Sequence, residues 1–421
     1  MKSQINKFIR LGAFALSTLL FSACGAQATE ERTAEDLPIE ISTVTETPAG
    51  EPLFEEAPPV PASGLPVSDD FAILFVNVGK ADAAILRFGQ TTVLIDTGSV
   101  ESVPRLVAGL NALNVSEISA VFLTHSHNDH LGGLAALAAN YDIPVVYSPF
   151  YKESTKSGAG KIVKVAESLG LNHVELNAGE TVDIADGASF SVLGPLVLNP
   201  DDDNDNSLVL RLHYGGKTFL FTGDMQFAEE QTLIDSGADL KSDVLKVGNH
   251  GNPDATGADF AALVFSSLAV ISTDTNEDED SANPLVFSAL SGADVFVTSD
   301  FPIGVLVTLD ASGSLVVSSP TDTAAPPDVS IGSVDADRQV VTLVNQGSGE
   351  ADLSGCVLLS SHSGAVLRLP DGTVLDAGES LEIGGDGDLS FPGEDKPLSK
   401  KKDNTLTLFG RYGSEIDAVT K

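Results

Sequence analysis

Residues 120–133 read AVFLTHSHNDHLGG and carry the strongest structural signal in the chain. The apolar letters at the start predict a buried β-strand, and the Gly-Gly pair at the end predicts a break before a helix. Between them lie three of the chain's seven histidines and one aspartate, namely His125, His127, His130 and Asp129. Imidazole and carboxylate without thiolate are ligands for Zn, Mn or Fe. The stretch therefore predicts a metal centre in the turn that follows a strand.

Strand and helix patterns alternate around this stretch. Short apolar runs at 71–76, 84–88 and 92–96 predict strands, whereas 104–113 predicts an amphipathic helix. The alternation continues to about Ser319, and a proline-rich boundary follows it. Residues 68–319 therefore predict a layered α/β domain.

The histidine cluster resembles the signature of the metallo-β-lactamase superfamily. Over roughly residues 70–318 the chain is most similar to the soluble hydrolase domain of the ComEC family of competence (DNA-uptake) proteins. Five further stretches carry this resemblance: 76–83 (VNVGKADA), 94–98 (LIDTG), 204–210 (NDNSLVL), 219–224 (FLFTGD) and 243–251 (DVLKVGNHG). The resemblance implies a four-layer αββα sandwich with metal-dependent hydrolase activity.

The resemblance also implies a set of six ligands for two divalent ions, Zn or Mn. It places His125 and His127 on the first ion, Asp129, His130 and His250 on the second, and Asp224 between them. Asp129 and Asp224 are the expected catalytic carboxylates. Two adjacent ions acidify water and neutralise phosphoryl oxygens, so phosphodiester hydrolysis is the expected reaction.

Four more residues are expected near the ions or the substrate. Asp96 is expected to hold a ligand imidazole in its metal-binding tautomer, and Asp82 to approach the same pocket. Lys246 is expected either to neutralise a substrate phosphate or to extend to solvent from a strand end. Asn283, before Pro284, stands where the ComEC family usually has histidine, so we expect it near substrate.

Two other departures from the family concern the ligands themselves. Asn249 replaces the first of two paired histidines in the family's motif. No histidine between residues 180 and 207 supplies a third ligand to the first ion, which leaves Asp203, Asn204 or Asn206 as candidates. We therefore expect the first-metal site to be the weaker one.

The N-terminus has the pattern of a bacterial lipoprotein signal. A basic start precedes an apolar run at 11–21 and the small residues before Cys24. This predicts a signal peptide at 1–23, an acylated Cys24, a disordered Pro/Glu/Thr-rich tether at 24–67 and a lipid-anchored protein on the extracytoplasmic face of the cell membrane. An ordinary secretory signal and an N-terminal membrane anchor are the alternatives.

The formal charge of −37 argues against general binding of nucleic acid, which needs clustered basic residues. Contact with the membrane is expected only through the lipid.

Residues 327–421 show short apolar runs separated by Gly, Asp and Asn, which predict an all-β sandwich. Stretches at 341–347, 351–356, 375–381 and 403–408 are similar to the lamin-tail domain, an immunoglobulin-like fold. Cys356 stands where that family commonly has Trp, and we expect a buried thiol there. The resemblance implies a module that binds a surface partner.

Three functions follow from these patterns. The first is a surface phosphodiesterase of the nuclease type, acting on nucleic acid or a smaller phosphoester. The second is a metallo-hydrolase of a lactone, thioester or β-lactam. The third is a catalytically degenerate metal-binding scaffold in which the C-terminal sandwich serves adhesion, a reading supported by Asn249 and Asn283.

Overall fold

The computed structural model describes residues 71–150, 160–322, 325–385, 387 and 389–421. The predicted signal peptide (1–23), the predicted lipid site at Cys24 and the predicted tether (24–67) lie outside the described residues. In the described part of the chain, no helix combines the length and apolar character needed to cross a bilayer.

Two mixed β-sheets form the centre of the α/β domain. Their strands, in chain order, are β1 (Phe71–Val76), β2 (Ala84–Phe88), β3 (Thr91–Ile95), β4 (Ala120–Phe122), β5 (Val146–Pro149), β6 (His173–Leu176), β7 (Thr181–Ala185), β8 (Ala188–Gly194), β9 (Val209–Tyr214), β10 (Lys217–Phe221), β11 (Val244–Lys246), β12 (Leu268–Ile271), β13 (Asp294–Val297), β14 (Gly304–Leu309) and β15 (Leu315–Ser318). The first sheet has the order β15-β14-β1-β2-β3-β4-β5-β6, and the second β13-β12-β11-β10-β9-β8-β7. Strands β3 to β6 are mutually parallel, as are β10 to β13, so each set ends at one edge of its sheet.

Helices cover the outer faces of these sheets. They are α1 (Val103–Ala112), α2 (Asn128–Leu131), α3 (Leu134–Asn140), α4 (Gly160–Ser168), α5 (Phe227–Ser236), α6 (Ala258–Val264) and α7 (Pro284–Ala289). Short 3-10 helices lie at Asn204–Asn206, Gly248–Gly251 and Thr298–Asp300.

Strand β1 shows how the layers are held together, because alternate residues face opposite sides of the sheet. Phe71 and Phe75 pack against Phe219 and Phe221 of the second sheet, with ring centroids 5.5 and 5.9 Å apart. The intervening residues of β1 join an apolar cluster with α1 and α3. The far face of the second sheet packs against α5, α6 and α7. The predicted four-layer αββα sandwich is therefore confirmed.

The C-terminal part is all β, as predicted. Its strands are β16 (Val329–Asp335), β17 (Val340–Asn345), β18 (Ala351–Asp352), β19 (Val357–Ser360), β20 (Val366–Arg368), β21 (Val374–Leu375), β22 (Ser380–Ile383), β23 (Thr405–Phe409) and β24 (Glu415–Thr420). They form sheets β16-β17-β22, β18-β21 and β20-β19-β23-β24 around one apolar core. Cys356 is buried in that core, as expected, and burial raises the pKa of its thiol to about 11. The likeness to a lamin-tail domain stays a prediction.

The C-terminal sandwich packs directly on α1 and α3. The buried side chain of Asn111 donates to the carbonyl of Gly355 at 3.0 Å. Asn140 donates to the carbonyl of Val366 at 3.0 Å, and Val366 itself belongs to the apolar cluster of α1 and α3. The two parts therefore pack against each other through one shared apolar cluster.

Candidate metal centre

The residues predicted to bind metal converge because each follows a parallel strand. Asp96 follows β3, the histidine motif follows β4, Asp224 follows β10, and His250 lies in the 3-10 turn after β11. Carboxyl ends of parallel strands are a common position for ligand sites in α/β folds. The two sheets thus bring residues from 96 to 250 to one place.

Four side chains form the tightest group. The ligand atoms of Asp129, His130, Asp224 and His250 all lie within 4.8 Å of one another. Asp224 Oδ2 is 3.1 Å from His130 Nε2 and 3.3 Å from His250 Nε2, and Asp129 Oδ2 is 3.3 Å from His250 Nε2. Both Nε2 atoms and Asp224 Oδ1 are buried without a hydrogen-bond partner. Buried polar atoms are rarely left unpaired, so this donor set fits a divalent cation.

Hydrogen bonds on the far side of each imidazole set its orientation. His130 Nδ1 is 2.8 Å from Asp96 Oδ2, and His250 Nδ1 is 2.8 Å from the carbonyl oxygen of Ser272. A carbonyl oxygen only accepts, so Nδ1 of His250 carries a proton, and Nε2 is the nitrogen that a metal would bind in place of a second proton. Asp96 also accepts from the backbone N–H and the hydroxyl of Thr124, at 2.8 and 2.7 Å. Asp96 therefore occupies the orienting position expected of it.

The cluster strongly favours positive charge at its centre. Burial by itself lowers the pKa of His250, but the carboxylates of Asp224 and Asp129 outweigh burial and raise it to about 9. Burial likewise raises the pKa of Asp224, but His130 and His250 outweigh it and hold that pKa well below its usual range. A proton or a divalent ion can supply the charge that these carboxylates demand.

His125 and His127 form a second, less complete pair. His125 Nε2 is 2.9 Å from His127 Nδ1 and 3.8 Å from Asp224 Oδ2. Burial lowers the pKa of His125 well below its usual value, which leaves the neutral imidazole that metals bind. His127 is exposed. Within the described ranges, no third Asp, Glu, Cys or His joins this pair closely enough to form a ligand group.

The candidates for the missing ligand have other contacts. Asp203 Oδ2 accepts from the backbone N–H and hydroxyl of Ser126, at 3.1 and 2.5 Å, while Oδ1 is buried without a partner. Asn206 donates to the carbonyls of Asn199 and Asp202, within its own loop. Asn204 Oδ1 is buried without a partner.

Lys246 and Asp82 form a buried ion pair beside the metal cluster. Lys246 Nζ is 2.6 Å from Asp82 Oδ2 and donates to the carbonyl of Val247 at 2.8 Å. Their side chains are 6% and 5% exposed, so Lys246 does not extend to solvent. Asp82 Oδ2 lies 3.9 Å from His130 Nδ1, close to the predicted pocket. The ion pair therefore lies next to the imidazole of His130, on the side of its Nδ1 atom.

The two asparagines that depart from the family have partners of their own. Asn249 Nδ2 donates to Asp254 at 2.9 Å, and its φ of 43° lies in the left-handed region that asparagine tolerates. Asn283 is the N-cap of α7, where its side chain accepts from the backbone N–H of Leu285. The backbone N–H of Asn283 also donates to the carbonyl of Gly251, next to His250, at 2.9 Å, and its expected place near substrate stays a prediction. An Asn-Pro pair at a helix start is itself a capping signal.

Sequence reasoning missed two lysines that contact the histidine loop. Lys80 Nζ is 3.1 Å from Asp129 Oδ2. Lys161, in α4, donates to the carbonyl of Ser126 and to Asn128 Oδ1. Lys80 lies inside the stretch 76–83, whose resemblance to the ComEC family placed Asp82 near the metal pocket. No sequence pattern around Lys161 predicted its contact with the histidine loop.

A family model and two known proteins match this chain. The model of the metallo-beta-lactamase superfamily matches residues 76–273. ComE operon protein 3 of Bacillus subtilis is 29% identical over 230 residues, which cover 50% of this chain and 29% of that protein. Ribonuclease J of Methanocaldococcus jannaschii is 25% identical over 210 residues, covering 49% and 42%. The chain thus spans less than half the length of these two relatives.

A solved structure also matches part of this chain. The metallo-beta-lactamase fold protein YhfI from Bacillus subtilis superposes with a TM-score of 0.40 at 14% identity, covering 56% of this chain and 98% of that one. The residues matched by the family model, 76–273, include all four residues of the cluster described above. On the family model, residues 76–273 form a metallo-β-lactamase domain.

Proposed function

We propose that this domain is a phosphodiesterase of the nuclease type that acts outside the cell, on nucleic acid or on a smaller phosphoester. The observation that carries the proposal is the buried group of Asp129, His130, Asp224 and His250, with two unpartnered imidazole nitrogens directed at carboxylates. Such a group demands a divalent cation, and phosphodiesters suit a cationic centre because their transition state carries negative charge.

Different residues would bind each of the two ions. Asp129, His130 and His250 would hold one ion, His125 and His127 a weaker second one, and Asp224 would lie between them. When bound, the ions supply charge for phosphoryl oxygens and acidify water. Asp96 holds the ring of His130 in place through Nδ1, at 2.8 Å, so the protein supplies a pre-oriented ligand set.

Two features support a phosphoester over an acyl substrate. The relatives include proteins named ribonuclease J, and a phosphodiester matches the positive charge that a bound cation would supply. The formal charge of −37 favours recognition of a substrate at the site itself over general attraction to nucleic acid.

The test is metal content and turnover measured on the same preparation. We expect the chain loaded with Mn²⁺ or Zn²⁺ to cleave bis(p-nitrophenyl) phosphate or DNA. His250→Ala should lose both metal and turnover, and His127→Ala should abolish turnover. His362→Ala, which changes an exposed histidine of the C-terminal sandwich, is the control and should match the wild type.

The outcomes separate the three functions. Full metal occupancy with turnover only on a thioester, lactone or β-lactam would replace the phosphodiesterase by an acyl hydrolase. Full occupancy without turnover on either class would leave the scaffold, with adhesion through the C-terminal sandwich.

Export and lipid attachment through Cys24 complete the proposal. The support is the sequence pattern at residues 1–24. Labelled palmitate should be incorporated into the wild-type chain expressed in bacteria, and Cys24→Ser should abolish the incorporation and release the protein from the membrane fraction.

A further inference from the structure

Two ammonium groups lie on the loop that carries the metal ligands. Lys161 Nζ donates to the carbonyl oxygen of Ser126 at 3.1 Å and to Asn128 Oδ1 at 2.6 Å. Lys80 Nζ lies 3.1 Å from Asp129 Oδ2. All three partners belong to residues 124–133, although the lysines come from the loop after β1 and from α4. The fold therefore places two ammonium groups at this loop in a chain whose formal charge is −37.

The charge of Lys161 is not neutralised by its contacts. Both of its partners are neutral oxygens, and within the described residues no carboxylate oxygen lies within 4.0 Å of its ammonium. An ammonium has three donors, so one donor of Lys161 is left after these two bonds. Lys161 is half-buried, which keeps that donor near the loop.

Lys80 has spare donors as well. Its contact with Asp129 uses one of three, and its side chain is 30% exposed. Asp129 is a predicted metal ligand, so an ion at the cluster would share this carboxylate with Lys80. The ammonium would then stand next to the ion with two donors free for an incoming anion.

We propose that Lys80 and Lys161 bind the non-bridging oxygens of the substrate phosphate beside the metal cluster, and so select a phosphoryl over an uncharged acyl substrate. This inference rests on the proposed function, since it names the residues that recognise that substrate class. Lysine is a compact point charge that suits phosphate oxygens.

The experiment compares Lys80→Gln and Lys161→Gln with a matched control, Lys164→Gln. Lys164 lies on α4 with Lys161 but is exposed, and the substitution removes the same charge. The first readout is the Kd of inorganic phosphate for the metal-loaded chain. The second is KM and kcat for bis(p-nitrophenyl) phosphate, with metal content measured for each variant.

We expect each of the two substitutions to raise the phosphate Kd and the KM roughly tenfold to a hundredfold, as for a lost charge-assisted hydrogen bond. Metal content should change less than twofold in each variant, and Lys164→Gln should match the wild type in every readout. Lys161→Arg should restore most of the phosphate affinity, because it keeps the charge.

Several results would overturn the inference. One is phosphate affinity and KM within twofold of the wild type in both variants; another is a wild type that binds no phosphate. Loss of metal in Lys161→Gln without rescue by Lys161→Arg would assign that lysine to loop structure alone. If the wild type cleaves no phosphodiester while the variants still weaken phosphate binding, the proposed function fails and the lysine site stands.

Discussion

Replacing Lys246 by methionine tests whether the buried ion pair with Asp82 stabilises the α/β domain. The ammonium and the carboxylate are 2.6 Å apart, and their side chains are 6% and 5% exposed. Asp82 Oδ1 has no hydrogen-bond partner, and Lys246 is much closer to Asp82 Oδ2 than His130 Nδ1 is, at 2.6 against 3.9 Å, so Lys246 is the main group that compensates this carboxylate. Methionine keeps the aliphatic length and leaves the carboxylate buried.

The burial of this pair determines how much unfolding free energy Lys246→Met should lose. At an effective dielectric constant of about 20, two unit charges at this distance attract by about 6 kcal/mol, before the cost of desolvation is subtracted. Removing one partner of a buried pair costs about 3–5 kcal/mol, because the remaining charge has neither water nor partner. Domains unfold with roughly 5–15 kcal/mol, so the loss is a large fraction of the total stability.

The assay is urea unfolding followed by circular dichroism, with chelator present so that metal binding does not contribute. The control is Lys400→Met, which removes the same charge from an exposed pair with Asp337 at 2.9 Å. We expect the control to change stability by less than about 1 kcal/mol.

A second variant tests whether the lost stability comes from the carboxylate left buried without a partner. Asp82→Asn combined with Lys246→Met removes both charges and should recover a good part of the lost stability, because no charge is then buried alone. The reasoning is refuted if Lys246→Met stays within about 1 kcal/mol of the wild type, or if the double variant is less stable than the single one.

Four further predictions follow from the same structure. Because the pKa of His250 is raised to about 9, the stability that His250 gives the metal-free protein should be present below pH 6.5 and lost as the pH rises through 9, as measured by urea unfolding across that range. Burial raises the pKa of Glu230 from 4.5 to about 7, so stability should fall as the pH rises between these values, and Glu230→Gln should flatten that slope. Asp224→Asn should lower metal affinity at least tenfold by dialysis and metal analysis, since the carboxylate lies within 3.3 Å of two imidazole nitrogens; unchanged occupancy would remove it from the ligand set. Asn111→Ala leaves the carbonyl of Gly355 without its donor between the two β-rich parts and should cost about 1–3 kcal/mol of unfolding free energy; an unchanged melting temperature would argue against a tight contact there.

Much of this protein is determined locally in its sequence. The predicted ligands His125, His127, Asp129 and His130 lie within six residues, so one turn after β4 brings them together. The strands of both parts follow from alternating or continuous apolar runs, because side chains on a strand point to opposite faces. The predicted helix at 104–113 matches α1 to within one residue at each end.

Tertiary structure alone decided the contacts between distant residues. Lys246, at the end of β11, pairs with Asp82 in the loop after β1. The apolar patterns near either residue do not predict that their side chains meet. Lys161 reaches the histidine loop from α4, and Asn111 reaches the C-terminal sandwich from α1. Charge neutralisation and hydrogen bonding need donor and acceptor atoms within about 3 Å of each other. Between residues far apart in the sequence, this distance is determined by how the sheets and helices pack. The sequence thus determined which residue types surround the metal site, and the packing of its layers determined which of them touch.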